Sequence, residues 1–320
     1  MNSTPVSLQE VDRVEILTLM DNYVDVLLTN TDVVYRPPLA KGGEIPDDTL
    51  VAEHGLSMLI TLYRDDEEHT ILFDTGYSSI GVLHNMEMLE IDPAEIEAIV
   101  ISHGHMDHTG TLYPILEKIS APIPLAIHPD AFASPRYFVL DDGRKLLFPQ
   151  TLDRSKLEKL GVRLIESREA TLIADDMALV TGEVERTTTF EKGLPNAYLE
   201  RNGNMEKDPI SDDQAIAVHV KGKGLVVISG CAHAGIINTI LYIRKVTGVS
   251  DVHAVLGGFH LSGAFFEPII EETINEIRKL DPKILVPMHC TGWKAIHRFS
   301  EEFPGSFILN SVGSRFTISS

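Results

Sequence analysis

The sequence predicts an α/β fold in one domain spanning residues 1–320, organised as two similar αβ layers. Three observations carry that expectation. Short β-rich runs alternate with helically spaced apolar residues in both halves of the chain. No linker, repeat or low-complexity tract divides it. A hydrophobic fraction of 43% beside 23% charged residues suits a packed globular protein rather than a disordered one.

In order, residues 14–20 and 57–63 read as strands, residues 64–68 as a charged turn, and residues 70–73 as a hairpin partner. Residues 80–89 have helical spacing. Asp92-Pro93 opens a helix with an acidic first turn, and residues 99–102 form a short buried strand. Residues 112–119 are helical and 124–128 extended. The rhythm then repeats. Residues 178–181 are a strand, Ala215–Val220 pairs with residues 225–229 across Gly222 and Gly224, and residues 236–246 are a helix. Residues 252–256 are a strand, 268–280 a helix, Ile284–Met288 a strand and 293–303 a helix, before two last strands near Phe307 and Phe316. Residues 31–53 and 191–212 read as long loops, a length usually reserved for lids or binding loops.

A formal net charge of −20 repels phosphate backbones, and no Lys/Arg cluster offsets it, so nucleic acid is not an expected partner. Two cysteines, Cys231 and Cys290, fit a reducing compartment better than a disulfide framework. The polar, acid-containing stretch 1–12 lacks the basic start and apolar run of a signal peptide. No apolar run approaches the roughly 18 residues that span a bilayer. The expected location is the cytoplasm, without membrane partners; the oligomeric state is left open.

The chemistry concentrates in Ser102-His103-Gly104-His105-Met106-Asp107-His108, directly after a buried strand. In extended chain His103, His105 and Asp107 point to one side, and His108 breaks the parity, so the chain must bend there. Two imidazoles would then surround one point, and a carboxylate with a third imidazole a second point nearby. That layout suits two borderline divalent metals, zinc first, with iron or manganese as alternatives. Exposed loop histidines are the competing reading, but so dense a cluster at the carboxyl end of a strand is costly without a ligand.

Asp74, in Phe73-Asp74-Thr75-Gly76, can hold a ligand histidine by its free ring N–H, or simply form a turn. Cys231 and His233 lie in a strand-to-helix turn, and His260 and His289 end the next two strands, where α/β folds place their sites. His128 also ends a strand and can line the pocket. The remaining histidines, His54 among them, read as structural or surface.

Together the Asp-Thr-Gly, the His-X-His-X-Asp-His and the strand-end histidines resemble the metallo-β-lactamase superfamily, in order from about residue 14 to 318. Five motifs resemble one branch in particular: Ser102 to His105, Thr181 to Arg186, Gly230 to Ile236, Gly257 to Leu261 and His289 to Gly292. That branch includes the archaeal 7,8-dihydropterin-6-methyl-4-(β-D-ribofuranosyl)aminobenzene-5′-phosphate synthase. The resemblance implies a four-layer αβ/βα sandwich of two mixed β-sheets flanked by helices, with two metals between the sheet edges. By position it implies His103 and His105 for the first metal, Asp107 and His108 for the second, His289 as the final metal histidine and Asp74 as the first conserved aspartate. The superfamily's usual third histidine is absent, since the corresponding stretch reads Thr181-Gly182-Glu183, and Cys231 stands at the usual bridging aspartate. His233 is therefore expected to complete the first site, with Cys231 and Glu183 as weaker candidates.

The expected function is a metal-dependent hydrolase or transferase on a small phosphorylated or dihydropterin-like substrate. A dinuclear centre would activate water or a pyrophosphate leaving group. Arg186, with Glu183 and His128, is expected to contact substrate, Arg186 as the phosphate contact, and Asp107, Asp74 and His260 to serve catalysis, His260 as proton donor or further ligand. The alternatives are a diiron protein reducing oxygen or nitric oxide, and a metal-binding protein without turnover. Redox members of the superfamily carry a carboxylate where His105 stands here, and a flavin domain follows in them.

Overall fold

The computed structural model describes residues 5–119 and 122–320, so residues 1–4 of the polar N-terminal stretch lie outside the described residues. Two sheets stack face to face. In the first the strand order is Arg163–Glu166, Pro124–Ile127, Ala98–Val100, Glu67–Phe73, Ser57–Arg64, Arg13–Met20, Arg315–Ser319, Val34–Tyr35. The second runs Thr171–Ile173, Ala178–Val180, Ala215–Val220, Gly224–Ser229, Val252–Gly258, Ile284–Met288, with Glu10–Val11 beside Ala215–Val220. Each sheet begins with antiparallel hairpins and continues through parallel crossovers. The parallel strands therefore all point their carboxyl ends at one edge of the stack.

Strand alternation explains the layering. Met58, Ile60 and Leu62 face inward, and with Ile16 they meet Ile216, Val218, Val226 and Ile228 of the other sheet in a central core. Leu17, Leu59 and Leu72 face outward and are covered by Val82 and Met86 of the Gly81–Met88 helix, with Leu112 and Leu157. On the far side Leu225, Val227 and Val255 are covered by helices Ile236–Thr247, Ile270–Leu280 and Trp293–Glu302, through Ile240, Ile274 and Phe299. Helix, sheet, sheet, helix is the αβ/βα sandwich expected from the sequence. Among the described residues no helix is long and apolar enough to cross a membrane.

Several elements differ from expectation. The charged turn at 64–68 narrows to Asp65-Asp66, because Arg64 and Glu67 already pair across the hairpin and Asp65 takes the left-handed backbone, φ 51°. The helix expected at 112–119 spans only Leu112–Leu116, and the strand at Phe307 is a single bridge to Leu285. The segment 191–212 is not a structureless loop. Ala197–Arg201 and Asn204–Lys207 form a hairpin that joins Arg136–Val139 and Lys145–Leu147 in a small antiparallel sheet. Short strands with polar outer faces leave little apolar signal, and only Ala197 and Leu199 of this hairpin are buried. Most of residues 31–53 is irregular, although Val34–Tyr35 pairs with Arg315–Ser319.

Glu191 anchors the same segment to a helix. Its carboxylate accepts from the N–H groups of Ile237 and Asn238, at 2.9 and 2.8 Å, in the first turn of Ile236–Thr247. Gly235 precedes that helix at φ 101°, where a Cβ would lie 2.1 Å from the Glu191 carboxyl carbon, so only glycine fits.

Two outcomes follow from this packing. Ile60→Ala, which empties a fully buried central position, should cost about 2–5 kcal/mol in chemical denaturation, while Leu27→Ala, at a site 72% exposed, should stay within about 0.5 kcal/mol. Burial pushes the Glu191 carboxyl up to about 7. An acid that binds its proton more tightly when folded adds stability at low pH, and that contribution is lost as pH rises from its ordinary range through 7. Between pH 5 and 8 the unaltered protein should therefore lose about 2–3 kcal/mol relative to Glu191→Gln; parallel pH profiles of the two would contradict this.

Candidate metal centre

The carboxyl ends of five strands converge at the sheet edge, and Asp74 organises the first of them. It follows Glu67–Phe73, is fully buried, and adopts the left-handed backbone at φ 59°. Its Oδ1 accepts the Ser102 N–H at 2.7 Å, and its Oδ2 accepts from His108 Nδ1 at 2.6 Å. Asp74 thus aims His108 Nε2 away from itself, as a carboxylate does behind a ligand histidine. Ser102 Oγ in turn lies 2.9 Å from His103 Nδ1.

Two donor sets result. In the first, His103 Nε2 lies 2.9 Å from His105 Nδ1 and 3.2 Å from His233 Nε2. Burial lowers the pKa of all three rings, to about 4 for His105, so all three are neutral. His103 Nε2 faces both partners but carries either one proton or one lone pair, so it cannot fully satisfy both; a cation can take a lone pair from each ring. His233 Nδ1 is buried with no hydrogen-bond partner among the described residues.

In the second set, His108 Nε2 lies 3.2 Å from Cys231 Sγ, Cys231 Sγ 3.4 Å from His289 Nε2, and His289 Nε2 3.4 Å from Asp107 Oδ2. Burial opposes a charge on His108, but the Asp74 and Asp107 carboxylates outweigh it and hold the ring up to about 9. Burial also opposes charge on Asp107, and the His108 and His289 imidazoles overcome it, so the carboxyl stays ionised far below neutrality. Burial, aided by neighbouring Cys290, pushes the Cys231 thiol up. A cation among these four atoms would take the lone pair of each ring and displace the thiol proton.

Three further residues of the cluster also sit in left-handed backbone, Ala232 at φ 54°, His260 at 45° and His289 at 53°. His260 lies 4.2 Å from His233, ring to ring, against Phe266, and its Nδ1 has no hydrogen-bond partner among the described residues. His260, Cys231 and His233 form a third group, which shares Cys231 and His233 with the other two.

The other expected residues lie apart. Glu183 is exposed, within 3.7 Å of Arg168, and belongs to neither donor set. Arg186 lines a cavity with Glu183, Asp213 and Ala234, next to His233. His128 is fully buried and accepts the Asp130 N–H through Nδ1, away from both sets. His54, read as surface, stands at the mouth of the second set, 3.8 Å from Asp107 and ring to ring 5.1 Å from His289.

Sequence reasoning missed the residues that grip the ligand loops from behind. Asp212, fully buried, accepts the Gly104 N–H at 2.8 Å and a two-pronged contact from Arg136, with Asp208 on the other side of the guanidinium. Gly104 can approach because it lacks a side chain: a Cβ there would lie 2.1 Å from the Ala131 carbonyl oxygen. Asp21 accepts the His289 N–H at 2.9 Å. Nothing in the one-dimensional pattern links Arg136 to Asp212, 76 positions away; an Asp-Asp pair before a buried strand was the one available signal.

The family model described as metallo-beta-lactamase superfamily matches residues 52–193. The chain is 34% identical, over 94% of its length and 96% of the relative's, to the 7,8-dihydropterin-6-methyl-4-(beta-D-ribofuranosyl)-aminobenzene-5′-phosphate synthase of Methanocaldococcus jannaschii. It is 32% identical to an uncharacterized protein of the same archaeon, over 82% of this chain and 92% of that one. A crystal structure described as a metal-dependent hydrolase of the beta-lactamase superfamily superposes with a TM-score of 0.72 at 27% identity, covering 96% of this chain and all of the other. With that likeness running nearly end to end, and with the strand-tip histidines brought together in the sandwich, the chain belongs to the metallo-β-lactamase superfamily of metal-dependent enzymes.

Proposed function

We propose that the chain is a hydrolase or transferase acting on a small phosphorylated or dihydropterin-like molecule, with two divalent cations as cofactors. The observation that carries the reading is the pair of adjoining donor sets, each with all its ligand atoms within 4.8 Å of one another. His103, His105 and His233 would hold one cation, and Asp107, His108, Cys231 and His289 the other. Imidazole with thiolate favours zinc or iron over magnesium or calcium. When bound, such a pair supplies Lewis acidity, lowering the pKa of a water and offsetting negative charge on a phosphoryl oxygen or a departing pyrophosphate.

The protein's own groups supply the rest. Asp74 keeps the proton on His108 Nδ1 and so leaves Nε2 as the ligating atom. Asp212 and Arg136 hold the backbone between His103 and His105, so that both rings stay aimed at one point. His260, whose Nδ1 has no partner among the described residues, would pass a proton to a leaving group. The two buried free thiols are compatible with a reducing compartment such as the cytoplasm. Similarity to a synthase on one side and a hydrolase on the other supports the superfamily chemistry, and the pterin reading rests on the former.

Metal analysis beside turnover assays on phosphodiesters, pyrophosphates and thioesters tests this reading. His105→Ala should lose at least one bound metal and nearly all turnover; full metal content with full activity would contradict it. Asp74→Asn, which turns the acceptor facing His108 into a mixed amide, should weaken metal affinity by about 10–100-fold in a chelator competition. An unchanged competition curve would remove Asp74 from the centre.

A further inference from the structure

The side chain of His54 is 64% exposed, yet the segment that carries it is tied down. The Leu56 N–H donates to the Asp107 carbonyl at 3.1 Å, and the Glu53 N–H to the Asp21 carbonyl at 3.2 Å. The ring itself is held by Asn22, whose own N–H donates to the Asp21 carboxylate at 2.7 Å. The Asn22 amide stands between two imidazoles. Its Nδ2 lies 3.1 Å from the His289 carbonyl oxygen and 3.2 Å from His54 Nδ1, and its Oδ1 lies 3.3 Å from His289 Nδ1. These three contacts settle where the protons are. A carbonyl oxygen can only accept, so the amide nitrogen, not the amide oxygen, faces the His289 carbonyl. The amide oxygen then accepts from His289 Nδ1, which leaves the His289 lone pair on Nε2, the atom in the second donor set. The second amide hydrogen goes to His54 Nδ1, so His54 carries its proton on Nε2.

That N–H is unspent. His54 Nε2 lies 3.8 Å from Asp107 Oδ2, beyond hydrogen-bond reach, and Asp107 Oδ2 is in turn 3.4 Å from His289 Nε2. A donor in a fixed tautomer therefore stands one atom outside the second donor set, on its solvent side. The set itself offers a carboxylate, imidazole lone pairs and a thiol. An oxygen bearing negative charge in front of it needs a hydrogen-bond donor, and His54 is held ready as one. We propose that His54 is a catalytic hydrogen-bond donor, its Nε2–H directed to an anionic oxygen of the substrate at the second donor set, with Asn22 as its positioning residue. The ring keeps its proton throughout. It steadies negative charge on that oxygen and transfers nothing. One amide thus orients a ligand histidine and a substrate histidine together. The assignment deepens the function proposed above and rests on it for the negative charge of the substrate.

The test is calorimetric titration of the metal-loaded protein with inorganic phosphate, beside elemental metal analysis and turnover of a phosphodiester. His54→Ala should keep the full metal content, bind phosphate at least about tenfold more weakly, and lose about 100- to 1000-fold in kcat. His54→Gln, whose amide can place an N–H near the position of Nε2, should recover part of both. Asn22→Ala should weaken phosphate binding when His54 is present and cost nothing further in the His54→Ala background at saturating metal. Equal costs in the two backgrounds would remove Asn22 from the assignment. A metal-loaded His54→Ala with unchanged phosphate affinity and unchanged kcat would overturn the role of His54 and leave the metal-dependent reaction standing. So would metal-loaded unaltered protein that binds no phosphate. Unaltered protein that takes up no metal would instead remove the function proposed above, and this assignment with it.

Discussion

A carboxylate removed from water must find donors for its oxygens, and Asp74 finds them by tying two strand ends together. Its two oxygens take the Ser102 N–H and the His108 Nδ1 proton, so one side chain sets both where the ligand loop begins and how its last histidine turns. Ser102 relays the constraint to His103. Loss of that anchor would free the backbone of residues 102–108 from the first sheet, and the remaining ligands would have nothing to converge upon. The left-handed backbone at Asp74 costs on the order of 1 kcal/mol and persists because the surrounding sheet leaves no alternative.

The opposite side of the loop is held by buried charge of a different kind. Arg136 comes from the small third sheet, Asp208 and Asp212 from the segment that follows it, and Gly104 from the ligand loop. A guanidinium between two carboxylates has its charge and its N–H groups matched on both sides, which allows it to lie in the interior without the full desolvation cost of an unpaired cation. The small sheet thus has a structural purpose that its exposure conceals: it brings a cation to the back of the histidine cluster. In a chain of net charge −20 the front of the cluster is left to imidazole nitrogens, a thiol and one carboxylate, all electron-pair donors.

Much of this was legible in the sequence because the relevant signals are short-range. Near-continuous apolar runs such as 57–62 and Ala215–Val220 mark strands covered on both faces, and a histidine directly after such a run has to stand at a strand tip. The donor residues themselves, His103 to His108 with His233 and His289, are visible for that reason. What stayed hidden depends on contacts between distant positions. The hairpin inside 191–212 is polar on its outer face and buries little, so its composition is that of a loop. Arg136 and Asp212 are each unremarkable until the fold brings them together. His54 looks like any exposed histidine, and Glu183, attractive in a motif, turns outward to Arg168.

The division between what builds the donor sets and what surrounds them has its own consequence. Ligands rise from the tips of strands whose other residues are committed to the three cores. The cavity walls at Val184 to Arg186, Pro209 to Asp213 and Phe265 to Phe266 belong to connecting segments that contribute few of the largest buried side chains. Replacements in those walls reshape the space beside the histidines without disturbing the sheets. Inheritance can therefore conserve the reactive centre while recognition drifts, and a shared scaffold can serve lineages whose small-molecule diets have little in common.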